Sequence, residues 1–248
     1  MIAIHISRYI LKGIILTIAL VLLWLLGNMA YNRWFAEGAK PDRALYPLRG
    51  IDVSHHNGDI DFGALTPAEA DVSFIYIKAT EGTDFVDPDF TANAHKALEA
   101  GIPAGAYHFF RYDTDGELQA LNFLQALRGR PFPLPPAIDV EDCGNPDGNT
   151  TAKIVERLRT LTLLLAEEGY TPVIYTNLDG YHRLIKGNFD HLPLWISSFS
   201  YPPLDTDPDN RHWALWQYSH RGSVSGIGKA TDLNVVNPAN PLKGLTQK

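Results

Sequence analysis

From Gly13 to Asn32 the chain carries 20 consecutive uncharged residues, most of them Ile, Leu, Val, Ala or Trp. A helix rises about 1.5 Å per residue, so such a run spans roughly 30 Å, the thickness of a bilayer's hydrocarbon. It predicts one transmembrane helix. Residues 34–47 are polar, with Gly38, Pro41 and Pro47, and read as a short linker. From about Leu48 short apolar runs alternate with amphipathic stretches. Strands are expected at Gly50–Ser54, Phe74–Ala79, Pro103–Phe110, Ala137–Glu141, Val173–Tyr175 and Leu194–Ile196. A helix opens after Asp87-Pro88-Asp89 and stops at Gly101, a second runs from Asp115 to about Leu127, and a short one lies near 179–186. Residues 150–168 place Ile154, Leu158, Leu161 and Leu165 at helical spacing. After Trp195 the helical pattern stops, and Trp213–Tyr218 and Thr231–Val236 read as two further strands joined by a Gly-rich segment. Strand and helix in alternation predict an α/β fold, a TIM-like β/α barrel with an irregular C-terminal part, preceded by the one transmembrane helix.

The chemistry-bearing residues fall at strand ends. Asp139-Val140-Glu141 closes an apolar run, and on a strand alternate side chains share a face, so both acids point the same way. Two neighbouring carboxylates repel, which keeps one protonated as a donor while the other stays ionised, an arrangement suited to glycosidic cleavage. Alone, the motif equally fits a helix cap, a cation site or a solvated pair. Asp52 after Gly50-Ile51 and Asp232 before Leu233 are expected to join the pair in one acidic cleft, because reactive groups of a parallel barrel gather at the carboxyl ends of its strands.

Aromatic residues cluster at the same ends: Tyr107, His108, Phe109 and Phe110, then Tyr175, Trp195, Trp213, Trp216 and Tyr218. Such rings make apolar faces for sugars in concave sites, and core packing accounts for a share of them. Lys78, closing an apolar strand, either snorkels to the rim or pairs with a site acid. His55-His56 is a weak metal motif without a second His cluster.

Composition narrows the classes. With 248 residues, 45% apolar and 11% aromatic, the chain buries one barrel-sized core, and disorder is excluded. The single Cys143 excludes an internal disulfide framework and a Cys-based zinc site. There is no phosphate-binding Gly-rich loop, and Gly226-Ile227-Gly228 lacks the flanking strand and helix of a dinucleotide site, so no cofactor is implied. Beyond residue 33 there remain 18 basic and 28 acidic side chains, a balance of −10, which makes nucleic acid a poor partner. Arg8 and Lys12 before the apolar run favour a cytoplasmic N-terminus with the rest exported, whereas Arg33, Lys40 and Arg43 weaken the asymmetry. A cleaved signal peptide is the competing reading, but Asn28-Met29-Ala30 lacks the small residue expected three positions before a cut.

The ordered blocks Gly50-Ile51-Asp52-Val53-Ser54-His55-His56, Ile77-Lys78-Ala79-Thr80-Glu81-Gly82, Val86-Asp87-Pro88, Gly105-Ala106-Tyr107-His108-Phe109-Phe110, Ile138-Asp139-Val140-Glu141, Leu194-Trp195-Ile196, Trp216-Gln217-Tyr218-Ser219 and Asp232-Leu233-Asn234 resemble glycoside hydrolase family 25, the Chalaropsis-type lysozymes, over about residues 48–240. The resemblance implies a modified β/α barrel that hydrolyses the β-1,4 bond between N-acetylmuramic acid and N-acetylglucosamine in peptidoglycan. It implies Glu141 as general acid and Asp139 as its stabilising partner, with Asp52 and Asp232 completing the cleft. Lys78, Tyr107, His108, Tyr175, Trp195 and Gln217 are the expected substrate contacts, and no metal is expected. Asn57, Phe62 and Ser197-Ser198-Phe199 depart from the family pattern beside the cleft. The expected partners are a glycan strand and, through the N-terminal helix, a membrane. The expected layout is 1–33 anchor, 34–47 linker and 48–248 catalytic domain, acting as a monomer outside the cytoplasmic membrane. A catalytically idle binding module of the same fold and a metal-dependent hydrolase or deacetylase using Asp52 and His55 are the alternatives.

Overall fold

The computed structural model describes residues 2–35, 39–65, 70–200, 202–203 and 213–245. The chain divides into two units, Met1–Gly38 and Ala39–Lys248. In the first, helix α1 (Ile2–Phe35) extends beyond both ends of the expected span. Its apolar window Lys12–Met29 has a mean hydropathy of 1.9, and none of that window is buried.

The second unit is a closed barrel. Strands β1 (Arg49–Val53), β2 (Phe74–Glu81), β4 (Ala104–Phe109), β5 (Ala137–Asp139), β6 (Val173–Asn177), β7 (Leu194–Ser197) and β8 (Trp213–Gly222) run parallel, each against the next. Strand β9 (Thr231–Val236) closes the ring antiparallel to both β8 and β1. A two-residue strand, β3 (Phe85–Val86), hairpins onto the end of β2 and was not legible in the sequence. Helices α2 (Phe90–Glu99), α3 (Gly116–Leu127) and α4 (Thr151–Glu167) follow β3, β4 and β5. Asp115 caps α3 by accepting from the amides of Glu117 and Leu118 at 2.8 and 3.1 Å, a cap worth about 1 kcal/mol. The short helix expected near 179–186 is a single turn, Leu178–Gly180, running into a π-helical turn, Tyr181–Ile185.

Alternation sorts the apolar side chains into two layers. Phe74, Tyr76, Leu134, Val173, Tyr175, Trp195, Leu215 and Val236 fill the barrel interior. Ile75, Ile77, Ile138, Ile174 and Ile196 face outward to the helices, with Ile154, Leu158, Leu161 and Leu165 of α4 meeting them. The interior aromatics need room: a Cβ at Gly105 would lie 2.5 Å from the Tyr76 ring. Tyr76 is thereby admitted to the axis, where its ring lies tilted against that of Trp195 with centroids 4.9 Å apart and its hydroxyl donates to the Pro135 carbonyl at 3.0 Å.

Residues 39–47, read from sequence as part of a linker, lie against the barrel. The Ala39 amide donates to the Phe199 carbonyl at 2.7 Å, Arg49 donates to the Pro41 carbonyl at 2.7 Å, and Tyr46 packs on Trp213 and Trp216. An apolar ring over two tryptophans outweighs the local polarity of the stretch. Residues 36–38 of the expected linker lie outside the described residues.

Candidate active site

At the carboxyl-end mouth of the parallel strands is a cavity of ≈ 200 Å³ lined by Asp52, Ser54, His56, Lys78, Tyr107, Phe109, Asp139, Glu141, Tyr175, Trp195, Gln217 and Asp232. Register explains the convergence. Phe109, Asp139, Tyr175 and Trp195 are successive partners across β4 to β7, and Asp52 pairs with Asp232 across β1 and β9. Asp232 stands at the amino end of its strand, yet reaches the same rim because β9 runs opposite to its neighbours.

The four acids are held in different ways. Asp52 is buried, and its Oδ2 accepts from Asn234 Nδ2 at 2.7 Å and Gln217 Nε2 at 3.0 Å. Each amide is itself oriented from behind. Tyr175 donates its hydroxyl to Gln217 Oε1 at 2.9 Å, and Trp195 donates its indole N–H to Asn234 Oδ1 at 2.8 Å. Both NH₂ groups are therefore committed to one carboxylate oxygen. Burial still raises Asp52 above the ordinary carboxylate value, against these donors. Asp139 rises well above it through burial and then the neighbouring Glu141 charge; among the described residues its buried Oδ1 has no hydrogen-bond partner. Burial, then Asp52, pushes Glu141 up to about 7, with Lys78 pulling the other way. Burial and Asp52 push Asp232 up to about 9. At neutral pH the four acids hold fewer than four charges, so the cavity contains proton donors.

Lys78 lines this cavity, but its ammonium pairs with Glu81, at 2.7 Å, rather than with one of the four acids, and lies 5.0 Å over the Phe109 ring. A register shift between Lys78 and Thr80 makes this possible. Lys78 pairs with Tyr107 on the inner face, whereas Thr80 pairs with His108 on the outer one and meets His108 Nδ1 at 2.8 Å. The expected contact His108 is therefore misplaced. It is fully buried on the outside of the barrel, bonded through Nε2 to Gln119 of α3 at 3.1 Å and stacked on Phe123. Burial lowers it to about 4, which suits a neutral structural imidazole. Tyr107, Tyr175, Trp195 and Gln217 do line the cavity. Phe110, Trp213, Trp216 and Tyr218 are outer-layer packing.

The liners Ser54, His56 and Phe109, together with Asn234, are not among the expected substrate contacts, although Phe109 stands in the aromatic cluster and His56 in the weak metal motif. Asn234 carried a usable signal, standing two residues after Asp232 and so on the same face. Among the described residues no group of three His, Cys, Asp or Glu side chains is placed to hold a metal ion. His55 Nδ1 is engaged by Asp87 Oδ2 at 2.7 Å.

A model of the family described as Glycosyl hydrolases family 25 matches residues 51–227. The uncharacterized protein YegX of Escherichia coli (strain K12) is 34% identical over 197 residues, 78% of this chain and 71% of its own. Lysozyme M1 of Streptomyces globisporus is 33% identical over 219 residues, 81% of this chain and 73% of its own. Among solved structures, a family 25 glycosyl hydrolase from Bacillus anthracis superposes with a TM-score of 0.70 at 34% identity, covering 80% of this chain and 92% of that one.

Proposed function

The chain belongs to glycosyl hydrolase family 25 and is a glycoside hydrolase, and from that premise we propose that it cleaves the β-1,4 bond between N-acetylmuramic acid and N-acetylglucosamine in peptidoglycan. The observation that carries this reading is the convergence of Asp52, Asp139, Glu141 and Asp232 on one cavity, with Glu141 held to about 7. Glu141 is the proton donor. With its carboxyl held at about 7, about half of it carries a proton at neutral pH, and it gives that proton to the leaving glycosidic oxygen as the C–O bond breaks. Water supplies the hydroxyl that ends on the anomeric carbon, and its remaining proton returns to Glu141. Asp139 faces the same space and stabilises positive charge developing on the sugar, or orients its acetamido group. Asp52, fixed by Gln217 and Asn234, is the anion whose field keeps protons on Asp232 and Glu141. Tyr107, Tyr175 and Trp195 form the walls against which the sugar lies.

The products decide this. Mass spectrometry of material released from purified peptidoglycan by the full-length chain is expected to show reducing-end muramic acid, and the Glu141→Gln protein is expected to release it at least about a hundredfold more slowly. Release by the Glu141→Gln protein at a rate within about tenfold of wild type would remove Glu141 from the role.

We further propose an anchor over residues 1–33 and a catalytic domain over 48–248, with residues 39–47 of the expected 34–47 linker counted with the barrel they lie against, α1 holding the enzyme in the cytoplasmic membrane and the barrel outside it. The support is the apolar window Lys12–Met29, none of it buried. The full chain is expected to stay with membranes through alkaline carbonate extraction; a shortened, soluble product in the extract would show that the segment is cleaved.

A further inference from the structure

The catalytic cavity, at ≈ 200 Å³, is smaller than the about 300–1,000 Å³ of common ligand sites, so a polymeric substrate must rest partly on surface outside it. One such surface adjoins it. The β2–β3 hairpin turns at Gly82, whose φ is +54°, and its backbone is pinned on several sides. Asn122 of α3 donates to the carbonyls of Gly82 and Phe85 at 3.1 and 3.2 Å, and the Asp87 amide donates to the Ala79 carbonyl at 2.9 Å. Yet this fixed hairpin turns Phe85 and Val86 toward solvent, 40% and 52% exposed. Two adjacent apolar side chains on a fixed backbone offer a contact surface whose backbone needs no ordering on binding.

Two lines of contact join Phe85 to the cavity. Lys78 Nζ lies 5.7 Å from the Phe85 ring and 5.0 Å from Phe109, and both Lys78 and Phe109 are cavity liners. His56, also a liner, has its ring 3.9 Å from His55, which in turn lies 5.9 Å from Phe85. His55 is held in place by the buried Asp87, through its ring Nδ1 at 2.7 Å and its backbone amide at 3.1 Å. Flat rings thus continue from the site of cleavage onto an exposed, rigid aromatic face. Amino-sugar rings present C–H faces of the same width, one after another along a strand.

We propose that Phe85, flanked by His55, is a saccharide platform outside the catalytic cavity that takes an amino-sugar ring further along the glycan strand. It rests on the reading of the cavity as a glycan-cleaving site. The platform gives the enzyme a preference for long strands over the shortest oligosaccharide it can cut.

The test compares full-length wild type, Phe85→Ala, Phe85→Trp and, as a control on another element, Leu163→Ala on α4, an exposed position. The readout is the ratio of kcat/KM for long glycan strands to that for the shortest cleaved oligosaccharide. Phe85→Ala is expected to lower the ratio about tenfold, with Phe85→Trp within about twofold of wild type and Leu163→Ala unchanged. An unchanged ratio in Phe85→Ala overturns the platform. So does an equal loss on both substrates, which would place Phe85 behind Lys78 instead. Affinity for soluble glycan strands, measured by calorimetry with Glu141→Gln added to each of the same proteins so that the strands stay whole, is expected to weaken about tenfold in Phe85→Ala. That reading stands whether or not cleavage occurs, so a cleavage-inactive wild type would remove the proposed activity while this measurement still decides the platform.

Discussion

At its carboxyl-end mouth the barrel gathers Asp52, Asp139, Glu141 and Asp232 around ≈ 200 Å³; at its amino-end mouth a larger space of ≈ 500 Å³ is lined by Pro131, Pro133, Pro135, Pro136, Pro241 and Leu242, with Arg130 and Lys243 as its charged groups. The same strands build both. Among the described residues the larger cavity is lined by no carboxylate or histidine, its ionisable groups being Arg130, Tyr170 and Lys243, whereas the smaller one concentrates acids that burial makes costly to ionise. Volume therefore does not locate the chemistry here. One mouth trades stability for reactive groups, and the other closes the core.

The sharpest way to break that contrast is at the acid. Glu141→Gln is expected to keep the fold, shown by an unchanged far-ultraviolet dichroism spectrum, and to lower kcat on peptidoglycan by about 10²–10⁴-fold. A kcat within tenfold of wild type would contradict the division. At the opposite mouth, Leu242→Ala, which truncates a buried leucine, is expected to cost about 2–3 kcal/mol and lower Tm by about 5–10 °C, with kcat of the folded protein unchanged. A loss of kcat without a loss of Tm would show the amino-end mouth to be functional.

Smaller effects sharpen the electrostatics. Gln217→Leu removes one of the two donors to Asp52 Oδ2 and leaves the Tyr175 hydroxyl without its acceptor. Losing a donor to the ionised form raises Asp52 further, so a higher pH is needed to charge it. The acid limb of the kcat/KM profile is expected to move to higher pH with about a tenfold loss at pH 5, and an unmoved limb would separate Asp52 from activity. Asp232→Asn is the mildest change. A carboxyl raised to about 9 in the folded protein binds its proton more tightly there than in the unfolded chain. Its stability contribution is complete below the ordinary carboxylate value of 3.8 and is lost as pH rises from there through about 9. Asn carries no charge to suppress, so Tm at pH 8 is expected to rise by about 2–4 °C, and the gain to vanish near pH 3. A Tm that falls at pH 8 would show the acid to be stabilising.

Much of this layout was legible in the sequence, and the misreadings have physical sources. Period-two alternation placed Asp139 and Glu141 together, and the apolar spacing of residues 150–168 foretold α4, observed at Thr151–Glu167. The direction of β9 was not readable, because strand patterning has no polarity. Asp232 was placed at a strand end by the rule for parallel strands, and it reaches the site through an antiparallel one. Grouping Tyr107 to Phe110 as one aromatic cluster puts His108 at the site, although alternation alone turns 107 and 109 one way and 108 the other. Lys78 is subtler. The irregularity between Lys78 and Thr80 sends two residues of equal parity to opposite faces and brings Glu81 beside Lys78. No local pattern announces such a shift. Residues 39–47 read as a linker because their partners, Phe199, Trp213 and Trp216, lie far along the chain.

The central claim is that burial and neighbouring charge make Glu141 a proton donor at neutral pH, and the pH dependence of kcat/KM for peptidoglycan cleavage tests it most directly. Activity is expected to fall as pH rises through about 7, as Glu141 loses its proton. A basic limb near 4.5, the ordinary value for this side chain, would contradict it.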